Sequence, residues 1–584
     1  MILLKHFRKY YLKYAVPLLL GIGILILVDY VSLEIPRIIK VILNGVDLGE
    51  YTTIEQVVPY LVNLSLIVLT MTIGRFLWRY LLIGTGRRVE TDVREAMFNH
   101  ATTLSQDFYS KEKIGGLMTY FISDINVVKE MYGFGLLMVI DGLVLGGMVL
   151  VRMFSLQFEM TAIAFIPIAL MGILMFFINK KMEKQSRIRQ EAQEALSDFS
   201  QESFTGITVV KAYVKEMFHA LTFRKKSQEL YDKTMNHTRY SIIVNIGIDV
   251  MINLVILSIL GFGSYLIAVG DLSGPELTEY ISYFFSLLWP VFAISWFMNV
   301  NAQAQASAKR INNFLEAKVD VKSKEDALLD VQLDGSINVT NLSFKYEDGE
   351  DYILKNMSFE IKPGEMVGIL GKTGSGKSTL VELLLRVYNT RENMIKFGEY
   401  DINDISIKAL RKHIGYVPQD NFLFSDTIKN NIGFAFDEPM SEEKMIEVAQ
   451  LSDLHENVLG FQDQYETMLG ERGTTISGGQ KQRVSIARAL AKDPTFLILD
   501  DSVSAVDTKT EEKIISNLRK IRKGKTTLMI AHRISTVKKL DKILLIEEGQ
   551  VAGFGTHKEL LKTNALYQEM VKRQELEALV GEVE

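Results

Sequence analysis

The chain has 584 residues, enough for more than one domain, and its 65 Lys and Arg against 70 Asp and Glu give a formal net charge of -5. This balance offers no basic surplus that would favour a nucleic-acid partner. The absence of cysteine excludes disulfides, thiolate metal sites and thiol catalysis.

The first half of the chain carries long apolar runs, which raise the mean hydropathy to +0.13 although 23 % of the residues are charged. Six runs are long enough to cross a hydrocarbon core, which takes about 20 helical residues. A single soluble core would not bury six such runs, so we interpret them as membrane spans rather than buried core helices. The predicted spans are 15–36, 57–82, 131–152, 158–179, 241–268 and 277–299.

The placement of Lys and Arg between these spans predicts their orientation. The connections 41–56, 153–157 and 270–279 contain no Lys or Arg, whereas the opposite ends of the spans are basic. We therefore predict a multi-pass protein of the plasma membrane, with both termini and the second half of the chain in the cytoplasm. The basic residues are Lys5, Arg8, Lys9 and Lys13, then Arg87, Arg88, Arg94, Lys111 and Lys113, then Lys180, Lys181, Lys184, Arg187 and Arg189.

The connections between spans two and three and between spans four and five are long. They mix charged and apolar residues at helical spacing, which indicates that the membrane helices continue into the cytoplasm. Plain charged linkers are the alternative. Breaks near 108–116 and 202–206 would allow a turn and a short crossing helix in each connection, where a cytoplasmic domain could be held.

Three acids, Asp29, Asp141 and Asp249, fall within the predicted spans. A carboxylate at mid-membrane costs about 2.5–3.5 kcal/mol on insertion scales, so it should face a polar interior. Asp141 and Asp249 fit a cavity for cationic or polar substrates as well as they fit hydrogen bonds between helices. Asp29 lies close to the end of its predicted span, which favours a structural role. Pro290, after Trp289, should kink the sixth span, either for gating or for packing.

A glycine-rich loop in the second half has the spacing of a phosphate-binding loop. A buried strand predicted at 366–370 leads into it, and a helix follows from Lys377. The glycines turn backbone N–H groups toward phosphate oxygens, and the helix N-terminus adds positive potential. Lys377 would pair with the β- and γ-phosphates of ATP, and Ser378 would ligate Mg²⁺. The predicted nucleotide-binding residues are Gly371, Lys372, Thr373, Gly374, Ser375, Gly376, Lys377, Ser378 and Thr379.

A second motif of nucleotide hydrolysis ends the apolar run 496–499. This run is typical of a buried strand that delivers Asp500 and Asp501 to its C-terminal end. Asp500 would hold Mg²⁺, directly or through water, and Asp501 would lie near the attacking water. The alternative for Asp501 is a second acid around the metal or a simple strand cap.

The pentapeptide Ile476-Ser477-Gly478-Gly479-Gln480 opens a predicted helix, and here the chain resembles an ATP-binding cassette exporter. The pentapeptide is similar to the signature motif of that family, with Ile476 in place of the usual leucine. The resemblance covers nearly the whole chain. It implies an all-α six-helix membrane domain of the type I exporter (type IV) fold, followed by an α/β P-loop nucleotide-binding domain. The predicted division is 1–305 for the transmembrane domain, 306–333 for a linker, 334–573 for the cassette and 574–584 for a tail.

Further motifs follow in the order that this family has. Tyr346 is similar to the aromatic that stacks on adenine, Gln419 to the glutamine that senses Mg²⁺, and His532 to the switch histidine near the γ-phosphate. Residues 470–473 resemble the loop before the signature, and 504–507 resemble the loop at the cassette dimer interface. The resemblance thus implies catalytic roles for Asp501, His532 and Gln419, metal binding by Ser378, Gln419 and Asp500, and nucleotide contacts from Tyr346.

Two cassettes of this family close head to tail, so the signature of one chain faces the ATP held by the phosphate loop of the other. Ser477 opens a helix whose N-terminal amides can face a γ-phosphate. Because this chain has one set of six spans and one cassette, it must pair with a second half-transporter. The residues expected to reach the partner's ATP are Ser477, Gly478, Gly479 and Gln480.

Asp501 departs from the family pattern, which places there a glutamate that orients or activates the attacking water. One methylene less withdraws the carboxylate by roughly 1.5 Å, and a misplacement of about 1 Å can cost on the order of 10²-fold in rate. The chain's own site should therefore be slow, while its signature completes a fast site on a partner that has the glutamate. This asymmetry resembles the heterodimeric multidrug exporters of bacteria, and a homodimer with two such Asp sites is the alternative.

The predicted function is ATP-driven export of drugs or other amphipathic molecules out of the cytoplasm by alternating access, with ATP and Mg²⁺ as cofactors. The expected partners are a non-identical subunit, the lipid bilayer and an amphipathic small-molecule substrate. Export or flipping of lipid or lipid-linked substrates is an alternative, as is a homodimeric drug exporter. Six spans argue against a soluble cassette protein of DNA repair or translation, and the absence of a regulatory insertion argues against a channel.

Overall fold

The computed structural model describes residues 5–112, 114–502 and 507–581. The chain forms two compact units. The first comprises Met1–His100 and Gly115–Glu316, and the second comprises Ala101–Ile114 and Ala317–Glu584.

The first unit is built from helices alone in its described residues. Two π-helical segments, Tyr120–Asp124 and Met131–Gly135, join α6, α7 and α8 into one run. Helix α5 belongs to the second unit. In chain order the helices are α1 (Lys5–Lys13), α2 (Ala15–Ser32), α3 (Glu34–Asp47), α4 (Ile54–Ala101), α5 (Gln106–Lys111), α6 (Ile114–Thr119), α7 (Ile125–Glu130), α8 (Leu136–Leu156), α9 (Phe158–Thr205), α10 (Ile207–Ala212), α11 (Glu216–Val269) and α12 (Gly274–Leu315).

Among the described residues, five helical stretches are long and apolar enough to span a membrane. They contain the predicted spans one, two, three, five and six. The predicted fourth span, 158–179, lies in α9, which starts with the apolar stretch Phe158–Pro167; the side chains of 168, 169, 171–177, 179 and 180 lie outside the described residues. The five stretches are Ala15–Asp47, Ile54–Ala101, Ile114–Leu156, Glu216–Val269 and Gly274–Leu315.

The first of these stretches is longer than the sequence pattern predicts. The apolar run ends near residue 36, but α3 continues the helix to Asp47. Pro36 does not end it, because it lies in the first turn of α3, where its missing N–H would have no helical partner. Asp29 therefore lies near the middle of the run and not near its end, which removes the reason for assigning it a structural role.

Short helices occur where the two cytoplasmic breaks are predicted. Helix α4 ends at Ala101 and α5 follows, and α9 ends at Thr205 and α10 follows after Gly206. Within the second unit, Lys111 at the end of α5 forms ion pairs with Glu347 at 2.9 Å and Asp348 at 3.0 Å. The connection between spans two and three thus supplies a short helix to the cassette unit.

The second unit is an α/β structure with two sheets. The larger sheet has the strand order β10-β9-β3-β8-β7-β6, in which only β10 is antiparallel to its neighbour, and the smaller antiparallel sheet has the order β2-β1-β4-β5. The strands are β1 (Ile337–Phe344), β2 (Leu354–Ile361), β3 (Met366–Gly371), β4 (Ile395–Phe397), β5 (Tyr400–Asp401), β6 (Ile414–Val417), β7 (Phe496–Asp500), β8 (Thr526–Ile530), β9 (Lys542–Glu547) and β10 (Gln550–Gly555).

Both faces of the larger sheet are covered, since its central strands β3, β7 and β8 are buried along their whole length. In β7, Leu497 and Leu499 join one apolar cluster, and Phe496 and Ile498 join the other. The helices are α13 (Lys377–Leu384), α14 (Ile407–Lys412), α15 (Ile428–Ile432), α16 (Glu442–Leu451), α17 (His455–Leu459), α18 (Gly478–Ala491), α19 (Thr508–Ile521), α20 (Ile534–Val537), α21 (His557–Thr563) and α22 (Ala565–Gly581), with 3-10 turns at Gly433–Ala435, Gln464–Glu466 and Glu471–Gly473. Helices pack on one face, and the smaller sheet with α13 and α14 packs on the other.

Candidate nucleotide site

Four predicted motifs meet at one edge of the larger sheet. The phosphate loop follows β3, His532 lies two residues beyond β8, Asp501 follows β7, and Gln419 lies two residues beyond β6. Strands β3, β8, β7 and β6 are adjacent and parallel, so their carboxyl ends lie side by side. This edge is where open α/β sheets bind ligands.

The phosphate loop has the backbone that its glycines predict. Gly374 and Gly376 have φ of +80° and +98°, in the left-handed region that favours glycine. The buried Ser375 hydroxyl has no hydrogen-bond partner within the described structure, and a Cβ on Gly371 would lie 2.7 Å from it. A buried hydroxyl without a partner is costly. A phosphate oxygen in the loop would accept from it, so the loop fits a nucleotide.

Lys377 is buried at the start of α13, and its ammonium donates to the carbonyl oxygens of Gly371 and Lys372, both at 2.9 Å. Burial lowers the pKa of Lys377, and the nearby Asp500 and Asp501 act in the opposite direction. The ammonium is therefore held inside the loop and next to the acids. This is the position from which the predicted pairing with phosphate would be made.

Asp500 is buried at the end of β7 and accepts a hydrogen bond from the Ser378 hydroxyl. Burial raises the pKa of Asp500, as does Asp501, while Ser378, Lys377 and His532 lower it. These interactions bring the predicted residues together. One carboxylate and one hydroxyl suit Mg²⁺, which retains waters and takes its other oxygens from phosphates.

Asp501 has a backbone that is fixed to the neighbouring strand. Its N–H donates to the carbonyl oxygen of Ile530 at 3.1 Å, and its φ is +47°. Aspartate tolerates this left-handed conformation better than most residues. The backbone of Asp501 is therefore tied to β8, and the reach of its carboxylate depends on the length of its side chain.

The loop that carries His532 is fixed by two residues that the sequence motifs do not reveal. Gln574 of α22 binds the His532 carbonyl and the Ile534 N–H, which lie on the two sides of Arg533. Glu511 of α19, which is buried, accepts from the Thr536 hydroxyl and forms an ion pair with Arg533 at 3.4 Å. A lone Gln or Glu on an amphipathic helix has no distinguishing pattern, so no sequence signal would have found either residue.

Tyr346 follows β1 of the smaller sheet, and Gln419 follows β6 at the edge of the larger sheet. The Tyr346 hydroxyl is 2.9 Å from Thr379 Oγ1 and donates to Glu382 at 3.1 Å, which fixes it beside the phosphate-loop helix α13. Burial raises the pKa of Tyr346. Gln419 is exposed, and its backbone carbonyl oxygen accepts from the side-chain amide of Asn421 at 3.4 Å.

The signature residues form a capping box at the start of α18. Ser477 Oγ accepts from the Gln480 N–H at 3.3 Å, and Gln480 Oε1 accepts from the Ser477 N–H at 2.9 Å. Ser477 and Gly478 are exposed, and a Cβ on Gly478 would meet no atom within 4 Å. Ile476, which replaces the usual leucine, is buried in the core. It acts as an apolar anchor for the loop before the helix.

Only the last residue of the predicted interface loop is among the described residues. The interface loop 504–507 lies outside the described residues except for Asp507, which caps α19 by accepting from the N–H groups of Lys509 and Thr510 at 3.1 and 3.0 Å.

Across the part of the chain that is described, the signature residues 477–480 form no hydrogen bond with the phosphate loop. Gln482, further along α18, donates to the Asp501 carbonyl oxygen at 3.5 Å, so this helix contacts the site edge beyond the signature residues.

Known protein families match both halves of the chain. Residues 18–291 match the ABC transporter transmembrane region, and residues 354–504 match the ABC transporter family. The chain is 35% identical to the "Probable multidrug resistance ABC transporter ATP-binding/permease protein YheI" of Bacillus subtilis, over an alignment that covers 98% of this chain and 96% of that protein. It is also 31% identical to the "Multidrug resistance-like ATP-binding protein MdlA" of Escherichia coli, over an alignment that covers 99% of this chain and 97% of that protein.

A solved bacterial Atm1-family ABC exporter with ATP bound has the same fold. It superposes with a TM-score of 0.77 over 97% of this chain and 98% of its own, at 24% sequence identity. This likeness confirms the predicted type I exporter fold, with a helical transmembrane domain followed by a nucleotide-binding domain. The family matches confirm that the second half is an ATP-binding cassette domain. With both halves matched and relatives similar over nearly their whole length, the chain belongs to the ABC transporter family.

Proposed function

We propose that this chain is one subunit of a heterodimeric exporter that uses ATP to move drugs or other amphipathic molecules out of the cytoplasm. The residue that carries the proposal is Asp501, because it stands where a catalytic glutamate is expected. The names of the two relatives, both of which refer to multidrug resistance, support drugs as the cargo. The proposal places the chain in the plasma membrane, with its termini and cassette in the cytoplasm.

The chain's own residues would perform the nucleotide steps at the sheet edge. Lys377 and the loop amides bind and orient the phosphates, while Asp500, Ser378 and Gln419 hold Mg²⁺, which neutralises charge on the phosphate oxygens when bound. His532 faces the γ-phosphate, and Asp501 orients water. Tyr346 supports the base beside α13.

Hydrolysis at this site would be slow because Asp501 holds its carboxylate too far back. Its backbone N–H is hydrogen-bonded to Ile530, so the reach of the carboxylate depends on the side chain, which is one methylene shorter than that of glutamate. Help from a well-placed general base is worth roughly 10²–10⁴-fold. ATP would then persist at this site through several cycles and favour the closed cassette pair.

Pairing is supported by the signature residues 477–480, which form no hydrogen bond with the phosphate loop within the described part of this chain. The exposed start of α18 offers unpaired helix amides and a glycine without neighbouring atoms, which suits a phosphate brought by another chain. The signature would complete the fast site of a partner that carries the glutamate. Closure of the pair on ATP would be passed to the membrane helices and open the cavity outward.

The test is the ATPase activity of the chain copurified with its partner in lipid nanodiscs. We expect the partner's catalytic glutamate changed to glutamine to lower turnover by at least 10²-fold, and Asp501→Glu to raise it. Asp501→Asn serves as the control, since it keeps the length and removes the charge, and it should leave turnover nearly unchanged. Intact turnover after loss of the partner's glutamate would refute the asymmetric pair, and efficient hydrolysis by this chain alone would favour a homodimer.

A further inference from the structure

We propose that the first helix of the chain, α1, binds an anionic phospholipid at the membrane surface. The lipid lies in the leaflet at the N-terminal end of α2, which is the cytoplasmic leaflet in the orientation proposed above. Its site combines a cationic face of α1 with an apolar stripe that continues along α2. The site shares no residue with the nucleotide site and does not depend on which molecule is exported.

One face of α1 is fixed to the rest of the membrane unit. Phe7 is fully buried, and Tyr10 is 4% exposed. The Tyr132 hydroxyl donates to the Phe7 carbonyl oxygen at 2.6 Å, and the rings of Tyr11 and Tyr132 stack with their centroids 4.6 Å apart. Because these contacts hold α1 in one orientation, they also determine which of its residues face outward.

The opposite face of α1 carries cations and no acid. Arg8, Lys9, Leu12 and Lys13 are exposed, and α1 contains no Asp or Glu. Residues 8 and 12, and residues 9 and 13, are one helical turn apart, so the four side chains share a face. A cation near an anionic membrane surface strengthens binding by roughly 5-fold, so three of them within two turns favour a negatively charged headgroup.

Two acids on neighbouring helices form ion pairs with α1. Asp92 of α4 pairs with Lys13, and Glu316, just after α12, lies 3.9 Å from His6. Among the described residues, the other two cations of the exposed face form no ion pair. Their charges are therefore available to an anionic partner, while Lys13 can be shared between Asp92 and a headgroup.

An apolar stripe begins beside these cations. Leu12, Val16 and Leu20 are spaced four residues apart and are 77%, 69% and 56% exposed. Backbone hydrogen bonds run through the turn at Tyr14, so the helical spacing continues from α1 into α2. A headgroup beside Lys9 would place its acyl chains along this stripe, whereas a soluble phosphate would meet the cations alone. The stripe therefore favours a lipid over a soluble anion.

The experiment compares two lipids that have the same acyl chains and different headgroups, dioleoyl phosphatidylglycerol and dioleoyl phosphatidylcholine. Each lipid is titrated onto the full chain in detergent micelles, alone and with its partner, and bound lipid is counted by native mass spectrometry. We expect the anionic lipid to bind at least 5-fold more tightly. Its advantage should shrink as the salt concentration is raised, since the cations are exposed.

The matched variants remove two cations each. Arg8→Gln combined with Lys9→Gln should weaken binding of the anionic lipid at least 10-fold and leave binding of the zwitterionic lipid unchanged. The control is Arg224→Gln combined with Lys225→Gln, whose side chains are exposed on α11. This pair lies about 24 Å along the helix from the predicted fifth span, farther than the Debye length of about 8 Å, so the control should bind both lipids as the wild type does.

Asp92 gives a variant with the opposite effect. Asp92→Asn leaves Lys13 without its carboxylate partner, so we expect the anionic lipid to bind roughly 5-fold more tightly. Asp92→Glu keeps the charge and should bind the lipid as the wild type does. Because a loss of folding would weaken binding, a gain separates contact with the headgroup from damage to the helix.

Equal affinity for the two lipids, or an affinity for the anionic lipid that survives the double substitution on α1, would overturn the proposed site. Displacement of the lipid by inorganic phosphate, beyond that caused by chloride at equal ionic strength, would overturn the lipid in favour of a soluble anion. These measurements involve neither ATP hydrolysis nor transport, so a failed export function would leave them unaffected.

Discussion

Gln574 is hydrogen-bonded to the backbone of His532 and of Ile534. Its side-chain N–H donates to the His532 carbonyl at 2.7 Å, and its side-chain oxygen accepts from the Ile534 N–H at 2.7 Å. The last described helix, α22, thus positions the loop after β8. We regard Gln574 as a positioning residue for His532.

Replacing Gln574 by leucine should loosen this loop. Two lost hydrogen bonds at a half-buried site cost about 1–2 kcal/mol locally. The Ile534 amide should therefore exchange with deuterium roughly 5- to 30-fold faster, as measured by mass spectrometry. Gln574→Glu keeps the acceptor for Ile534 and should retain most of its protection. If both variants exchange alike, Gln574 does not position the loop. In an Asp501→Glu background, only the leucine variant should lower kcat while leaving KM unchanged.

The buried carboxylate of Asp500 should lower the stability of the nucleotide-free protein while it supports Mg²⁺-dependent ATP binding. Burial and Asp501 raise its pKa, so the ionised form is disfavoured in the folded protein. Asp500→Asn should stabilise the nucleotide-free protein at neutral pH by an amount within the roughly 0.5–2 kcal/mol typical of stabilising substitutions. It should also remove the Mg²⁺-dependent part of ATP binding. Thermal unfolding with and without Mg·ATP measures both effects.

The pH dependence follows from the direction of that pKa shift. Because the folded pKa is raised, the contribution of Asp500 to stability is complete below the unfolded pKa and is lost as pH rises through the folded pKa. The stability gap between the wild type and Asp500→Asn should therefore open with rising pH and close in acid. A stability difference between the wild type and Asp500→Asn that does not change with pH would contradict the raised pKa of Asp500 as its cause.

Gly374 and Gly376 form a matched pair in the phosphate loop. Both have left-handed backbones, but a Cβ on Gly374 would meet nothing within 4 Å, while one on Gly376 would lie 2.5 Å from Leu354 Cδ2. Gly374→Ala should cost about 1–2 kcal/mol of unfolding free energy from conformation alone. Gly376→Ala should cost a further 1–3 kcal/mol or so from overpacking. Denaturant unfolding tests the order, and equal costs would contradict it.

Arg488 connects the signature helix to the segment after Gln419. It donates to Asn431 O at 2.8 Å, Asn431 Oδ1 at 2.7 Å and Phe422 O at 3.0 Å, and burial lowers its pKa to about 10. Arg488→Lys keeps the charge but cannot reproduce the fork of donors, so it should cost about 1.5–3 kcal/mol. The exposed Arg391→Lys is the control and should stay within about 0.5 kcal/mol. Similar losses in both variants would refute this role.

Motifs tied to the backbone were the most predictable part of this protein. Local spacing predicts the strand–loop–helix around Lys377, and it also predicts Asp500 and Asp501 at the end of β7. Because the strands are parallel, their carboxyl ends lie together. The apolar runs predict membrane helices for the same local reason, although the helix boundaries at residues 36 and 47 differ because charged residues do not break a helix.

Contacts between distant residues were not predictable from pattern. Nothing in the sequence connects Asp29 with Asp141, which interact with each other in the fold, or Gln574 with His532, because side-chain amides and carboxylates acquire partners only through helix packing. Ile476 could be noted as a departure from the signature, but its burial is a property of the folded core. The residues that the motifs missed are those whose role depends on tertiary contacts.

The bond between the Asp501 N–H and Ile530 also bears on the genetics of the site. Aspartate and glutamate codons differ only in their third base, so one transversion at codon 501 would add the missing methylene to a residue whose main chain already pairs with Ile530. On this account the slow site lies a single nucleotide from a fast one. Selection for faster transport in culture would therefore be expected to reach Asp501→Glu in one step.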